Sequence, residues 1–371
     1  MSDDPGRDPA TGAAATGGPA TTGAPATGAV TYAAAGVDIA AGDEAVRRIR
    51  AAAASTARPG VLEGIGGFAG RFALDTARYR HPVLVSSTDG VGTKLLVARA
   101  TGRYDTVGVD LVAMCVDDLV CLGAEPLFLL DYVAMGHLDA GRLEAIVAGI
   151  AAGCRDAGCA LLGGETAEHP DAMDVEDVDV AGFAVGVVES GAELGPGRVR
   201  PGDVLVGLLS PGLRSNGYSL ARHVLLQRAA RPLDAPAWEG AGHSLADELL
   251  RPSVVYAPAV LAAAATGGLH ACAHVTGGGI PGNLVRVLPP DLDARVRRDA
   301  WTPPRIFGEI ARLGPVNDEE MLQVFNMGLG MVLVVAADAV DSVLGALAGG
   351  APEVRTAVVG EVVAGSGRVR L

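Results

Sequence analysis

Three groups of residues in this 371-residue chain have the types and spacing to handle a phosphate and a divalent cation. The first is Asp89-Gly90-Val91-Gly92-Thr93-Lys94, which follows the apolar run Val83 to Val85. That run reads as a buried strand, and the two glycines form a turn where a missing Cβ lets the backbone approach a bound group. Lys94 is the only lysine; every other basic side chain apart from histidine is arginine. A lysine offers phosphate a movable point charge, whereas arginine offers a planar fork. The order Gly-Thr-Lys and the short loop exclude a Walker phosphate loop.

The second group is carboxylates: Asp89, Asp110, Asp117, Asp118 and Glu165. On a helix through Leu111 and Met114, Asp118 falls on the apolar face, where a carboxylate needs a partner or a cation. Asp117 points about 100° away and reads as a solvated or supporting acid. Asp110 is open between a helix N-cap and a functional acid. Oxygen ligands from separate segments, Asp89, Asp118 and Glu165, suit Mg²⁺, which takes few protein carboxylates and shares the substrate's phosphates. No His/Cys grouping has zinc spacing.

The third group is the glycine-bearing turns Ser215-Asn216-Gly217 and Thr276-Gly277-Gly278-Gly279, each after a strand and before a helix. Free N–H groups at such helix starts favour anions. His274 by itself reads as a hydrogen-bonded core residue, and Ser215 lacks the nucleophile elbow of a serine hydrolase.

These residues need a scaffold of alternating strands and helices, and the bulk numbers agree. The chain is 49% hydrophobic but only 4% aromatic, and its length predicts two α/β or α+β domains. A net charge of −14 makes nucleic acid and anionic membranes unfavourable partners. Five cysteines without a C-x-x-C pair, and no signal peptide, predict a cytoplasmic protein; no apolar run is long enough to span a bilayer. Residues 1–30 are almost entirely Ala, Thr, Gly and Pro and read as a disordered tail. An amphipathic helix is expected over 44–57, and Gly64 to Gly70 as a glycine-rich strand or turn without dinucleotide spacing.

Helices are expected over 107–123, 139–157, 218–228, 254–265 and 339–347, and strands over 127–135, 159–162, 178–189, 204–209, 270–275 and 356–363. The turn cluster Gly195 to Gly202 marks a boundary, giving a domain over 31–195 and another over 196–371.

Eight motifs in series resemble phosphoribosylformylglycinamidine cyclo-ligase, also called aminoimidazole ribonucleotide synthetase. They are Tyr32 to Gly42, Thr88 to Lys94, Asp110 to Leu119, Gly123 to Phe128, Gly163 to Glu168, Ser215 to Leu220, His274 to Gly279 and Phe325 to Met331. The resemblance runs in order over about residues 31–371. It implies a homodimer whose N-terminal strands pool into a shared barrel, with ATP bound near that interface. The implied reaction is ATP-dependent ring closure of formylglycinamidine ribonucleotide, a small-molecule substrate, to aminoimidazole ribonucleotide. ATP phosphorylates the formamide oxygen and the amidine nitrogen closes the ring. By the family pattern Asp89, Lys94, Arg214 and His274 serve catalysis, and Asp89, Asp118 and Glu165 hold Mg²⁺. Gly90, Gly92, Thr93, Lys94, Asn216, Gly217, Thr276, Gly277, Gly278 and Gly279 bind ATP and its phosphates.

Two positions depart from that pattern. The usual Gly-x-His-Ser-Asn-Gly reads Gly212-Leu213-Arg214-Ser215-Asn216-Gly217, and Pro-Thr-Arg-Ile-Tyr reads Pro252-Ser253-Val254-Val255-Tyr256. Arginine cannot act as a neutral base near pH 7, whereas histidine can. These changes favour, as a second reading, a paralogue acting on another ribonucleotide-like substrate. A third is a non-catalytic ATP-binding dimer partner. Related kinases and selenophosphate-forming enzymes fit less well, since no cysteine stands at the corresponding N-terminal position.

Overall fold

The computed structural model describes residues 39–371. The tail 1–30 and the start of the Tyr32 motif lie outside the described residues. The first half contains α1 (Ile39–Ala54), β1 (Pro82–Gly90), α2 (Leu95–Thr101), α3 (Val107–Cys121), β2 (Glu125–Met135), α4 (Ala140–Ala157), β3 (Ala160–Glu168) and β4 (Val178–Glu189). Its strands form one sheet in the order β1-β4-β2-β3, antiparallel except for the β2/β3 pair.

Local chemistry sets these elements. Asp139 caps α4 by accepting the Arg142 N–H at 2.8 Å, and Gly158 ends it with φ 71°. Gly108 lets α3 and α4 touch, since a Cβ there would lie 2.2 Å from the Ile150 nitrogen. One face of the sheet is covered by α3 and α4, which bury Leu129 and Val133 completely. On the other face Leu84, Phe183 and Tyr132 remain 64%, 43% and 41% exposed.

The second half contains β5 (Val204–Leu209), α5 (Tyr218–Arg222), α6 (Leu245–Leu249), α7 (Ala257–Ala264), β6 (Leu269–His274), α8 (Gly279–Leu284), β7 (Leu292–Val296), α9 (Arg305–Leu313), α10 (Asp318–Val324), β8 (Leu329–Val335), α11 (Val340–Gly350), β9 (Thr356–Ala364) and β10 (Val369–Arg370). Its sheet runs β10-β7-β9-β5-β8-β6. The nearly unbroken apolar sequences of β5 and β8 match their central, buried places. The fold is therefore mixed α/β, with each sheet built within one half of the chain.

Helix α3 lies at the junction. It packs on β1, β4 and α4 of its own half and on α7 and β6 of the other. Leu111 to Val116 are all buried, as a helix apolar on every side requires.

Several elements differ from expectation. Strand β3 continues through Gly163 to Glu168, because pairing with β2 carries the glycines along. The helix expected over 218–228 is present, but after α5 it continues as π-helix over His223–Arg228. Gly64 to Gly70 is neither strand nor helix, and Val61 and Phe72 bridge its ends. No element was expected over the β7, α9 and α10 segments, although β7 alternates apolar and polar residues and α9 is amphipathic.

Candidate active site

Side chains from both halves meet at the C-terminal end of α3. Asp118 comes from α3, Ser87 and Asp89 from β1, and His274 from the end of β6. His274 Nδ1 lies 2.9 Å from Asp118 Oδ1, and the Ser87 hydroxyl donates to Asp118 Oδ2 at 3.1 Å. Burial works to raise the Asp118 carboxyl, but the bonds from His274 and Ser87, with Arg286 nearby, hold it below its ordinary value. Burial, then the proximity of Asp118, lifts Asp89 above its ordinary value; its own backbone bond from Gly90 opposes them. The Asp118 side chain is still 48% exposed, so this carboxylate opens to solvent at the seam between the two halves.

The glycine turns flank the same cleft. Ser215 donates to the Val91 carbonyl at 3.0 Å, and the Thr93 and Ser219 hydroxyls are 3.2 Å apart. Asn216 lies beside Gly277 and donates to Met114 Sδ at 3.5 Å. Asn283 Nδ2 ties the 276–279 turn by donating to the carbonyls of Thr276, Gly277 and Gly279. The helices after these turns are α5, which continues as the π-helical turn to Arg228, and α8, which continues as a 3-10 turn to Val287. The structure thus gathers Asp89, Gly90, Gly92, Thr93, Asp118, Asn216, Gly217, His274 and Thr276 to Gly279 around one seam.

Glu165 does not join them within this chain. The paired residues Gly90, Ala181, Tyr132 and Glu165 form one row across the first sheet, on its open face. The next row, Asp89, Gly182, Asp131 and Gly164, faces α3, where Cys115 and Leu111 lie against Gly182. Three strand spacings separate β3 from β1, about 14 Å. The expected three-carboxylate metal set is corrected on this point: strand pairing places Glu165 on the opposite face, at the far edge. It lines a cavity of about 800 Å³ with Thr88, Tyr132 and the Gly64–Gly70 loop. Among the described residues no cluster of three or more metal-binding side chains occurs.

Lys94 is also corrected. Its ammonium is fully buried, 2.6 Å from Asp110 Oδ2, and donates to the carbonyls of Arg251 at 2.7 Å and Arg214 at 3.2 Å. The Gly92–Lys94 turn is 3-10 helical and continues directly into α2, which turns the lysine inward instead of toward the cleft. Burial lowers its pKa, against the pull of Asp110. Asp110 stands inside α3 and not at its cap; it also accepts the Ser253 N–H and hydroxyl at 2.9 and 2.6 Å.

Asp117 and Asp118 exchange the environments that the helical wheel suggested. Asp117 is fully buried and paired with Arg214, while Asp118 opens to the cleft. The wheel argument fails because α3 packs against both halves of the chain, so an apolar stripe does not mark its inner face.

Two family models match this chain: AIR synthase related protein, N-terminal domain, over residues 75–188, and AIR synthase related protein, C-terminal domain, over 200–371. The phosphoribosylformylglycinamidine cyclo-ligase of Myxococcus xanthus (strain DK1622) is 52% identical over 337 residues, covering 91% of this chain and 97% of that protein. The chain belongs to the AIR synthase (phosphoribosylformylglycinamidine cyclo-ligase) family. Solved structures share the fold at lower identity. The thiamine-monophosphate kinase of Stenotrophomonas maltophilia K279a has a TM-score of 0.64 at 23% identity, covering 88% of this chain and 95% of that one. The hydrogenase maturation protein HypE in complex with ATP has a TM-score of 0.61 at 20% identity, covering 85% and 87%.

Within this AIR synthase-family chain, the two departures from the sequence pattern meet in space. Arg214, standing where the pattern has histidine, donates to the Val254 carbonyl at 3.1 Å, and Val254 stands where the pattern has arginine. Its guanidinium lies 4.7 Å from the Tyr256 ring centre and 2.7 Å from Asp117 Oδ2. Burial would lower the pKa of this group, but Asp117 and the bonds to it hold it above the ordinary value. Arg214 adopts φ 63° and is 2% exposed, so its side chain is locked away from the cleft. Ser87, Arg286 and Tyr256 were missed by sequence reasoning. Only the polar run Ser86-Ser87-Thr88 ending a strand hinted at the first.

Proposed function

We propose that this chain closes the imidazole ring of aminoimidazole ribonucleotide from formylglycinamidine ribonucleotide, converting ATP to ADP and phosphate. The carrying observation is the seam: Asp118 and Asp89 lie beside one another where the two halves meet, next to three glycine turns, in a chain half identical to a named cyclo-ligase over nearly its whole length. ATP use is also supported by HypE, a relative in fold whose solved structure contains ATP.

Asp89 and Asp118 fit the protein's share of a Mg²⁺ site, since that ion takes one or two carboxylates and completes its shell with waters and phosphate oxygens. When bound, Mg²⁺ neutralises charge on the transferred phosphoryl group. The chain's own work is positioning. Ser87 and His274 hold both oxygens of Asp118, and the backbone at Gly90–Thr93, Ser215–Gly217 and Thr276–Gly279 lines the phosphate path. The formamide oxygen takes the γ-phosphoryl group, the amidine nitrogen attacks the activated carbon, and the C–O bond breaks to release phosphate. A proton leaves the ring nitrogen.

We further propose a homodimer. Leu84, Phe183 and Tyr132 leave the first sheet's outer face open, and a second copy covering it would close the cavity that holds Glu165. A cytoplasmic location fits the five unpaired cysteines. Among the described residues, no helix is long and apolar enough to cross a membrane.

The test is purified protein with ATP, Mg²⁺ and formylglycinamidine ribonucleotide. Stoichiometric ADP and aminoimidazole ribonucleotide are expected; ATP binding without turnover would refute the reading. Light scattering should report a dimer that Leu84→Asp with Phe183→Asp converts to monomer.

A further inference from the structure

Asp117, Arg214, His274 and Asp118 form a hydrogen-bonded chain from the core to the cleft, and its inner members have no reach to a substrate. Arg214 Nη2 is 2.7 Å from Asp117 Oδ2 and 3.1 Å from His274 Nε2. A guanidinium only donates, so Nε2 must accept. The remaining ring hydrogen then sits on Nδ1 and is donated to Asp118 Oδ1 at 2.9 Å. Asp117 is held in turn by the Tyr256 N–H at 2.9 Å, and the Arg214 side chain is 1% exposed.

From this geometry we infer that Arg214 is a positioning residue, which fixes the His274 tautomer and thereby the direction of the Asp118 carboxylate. The inference rests on the proposed cation site, although the tautomer itself does not. A neutral residue at 214 without a donor would leave only the Asp118 carboxylate favouring Nδ1–H, so the Nε2–H form, which gives Asp118 no bond, would become accessible. Asp118 would then lose one of the two bonds that aim it. Lysine would keep the charge opposite Asp117 but not the planar fork that reaches Asp117, Val254 and His274 together.

The experiment uses the full chain with ¹⁵N-labelled histidine, read by NMR, and Mn²⁺ binding read by electron paramagnetic resonance. Wild type should show His274 as the Nδ1–H tautomer. Arg214→Met with Asp117→Asn removes both buried charges together, so no unpaired ion is left behind. In this folded double variant His274 should become a tautomer mixture and Mn²⁺ binding should weaken by about 10–100-fold. Arg214→Lys should show the same tautomer loss, where a purely electrostatic role would be rescued. An Nε2–H signal in wild type overturns the inference, even if no variant folds. So does a folded double variant that keeps the Nδ1–H signal and binds Mn²⁺ within about twofold of wild type. Absence of cyclisation by wild type would refute the proposed reaction while leaving both readouts intact.

Discussion

Helix α3 presents its carboxylates to two different environments. Asp110 and Asp117, two turns apart, are fully buried, and each faces one cation, Lys94 or Arg214, with further donors from Ser253 or Tyr256. Asp118 follows Asp117 directly, yet it is half exposed and looks toward a second carboxylate, Asp89. In the first two, each carboxylate has a buried cation beside it, at 2.6 and 2.7 Å. The third is held by Ser87 and His274, and among the described residues no lysine or arginine bonds to it, leaving two carboxylates that a divalent cation would reconcile. The buried pairs clamp the two halves of the chain; the open pair is where chemistry can occur.

Replacing Asp118 by Asn should separate these roles most sharply. Turnover is expected to fall on the order of 10³-fold and Mn²⁺ binding to be lost, while the unfolding midpoint stays near wild type. A large loss of stability instead would place Asp118 with the clamps.

Lys94→Met should do the reverse. Leaving Asp110 buried without its cation costs about 3–5 kcal/mol in urea unfolding, and adding Asp110→Asn should recover most of it. A Lys94→Met protein of normal stability that no longer turns over would return the lysine to the phosphates.

Ser87→Ala is a finer probe, since it removes one of the two bonds that aim Asp118. Mn²⁺ affinity should drop about tenfold with little change in stability; no change would mean that His274 alone suffices.

The smallest effect lies far from the seam, at Asp293. Bonds from the Ser366 N–H, the Arg370 guanidinium and the Arg368 N–H outweigh desolvation and hold this carboxyl down at about 2. The unfolded chain therefore binds more protons than the folded one between about pH 4 and pH 2, so this contribution is present above about pH 4 and lost as pH falls through that window. Asp293→Asn should flatten the acid limb of the stability curve there and leave turnover at neutral pH unchanged.

Much of the fold was legible before the structure. The strand over Val178–Glu189 and the helix over Asp139–Ala157 declare themselves through alternation, an N-cap and a terminal glycine. The segment Leu292–Val296 alternates apolar residues with Asp293 and Arg295, but five residues alone do not establish a strand; its pairing with β9 does. In the site, Asp89, Asp118, His274 and the glycine turns could be picked out by residue type and motif order. The environments of Asp117 and Lys94 could not, because a helical wheel assumes a broad wet face, whereas α3 is packed by both halves and Asp118 is its exposed residue.

The sequence by itself determined which residues are chemically capable and which family the chain joins, since both depend on residue identity and order along the chain. Only the tertiary structure decided which charges are consumed and which stay available. A carboxylate or an ammonium has no fixed role until folding sets its desolvation and its nearest opposite charge. At this seam partners arrive from distant segments: Asp117 and Arg214 stand 97 residues apart, and Asp118 and His274 stand 156 apart.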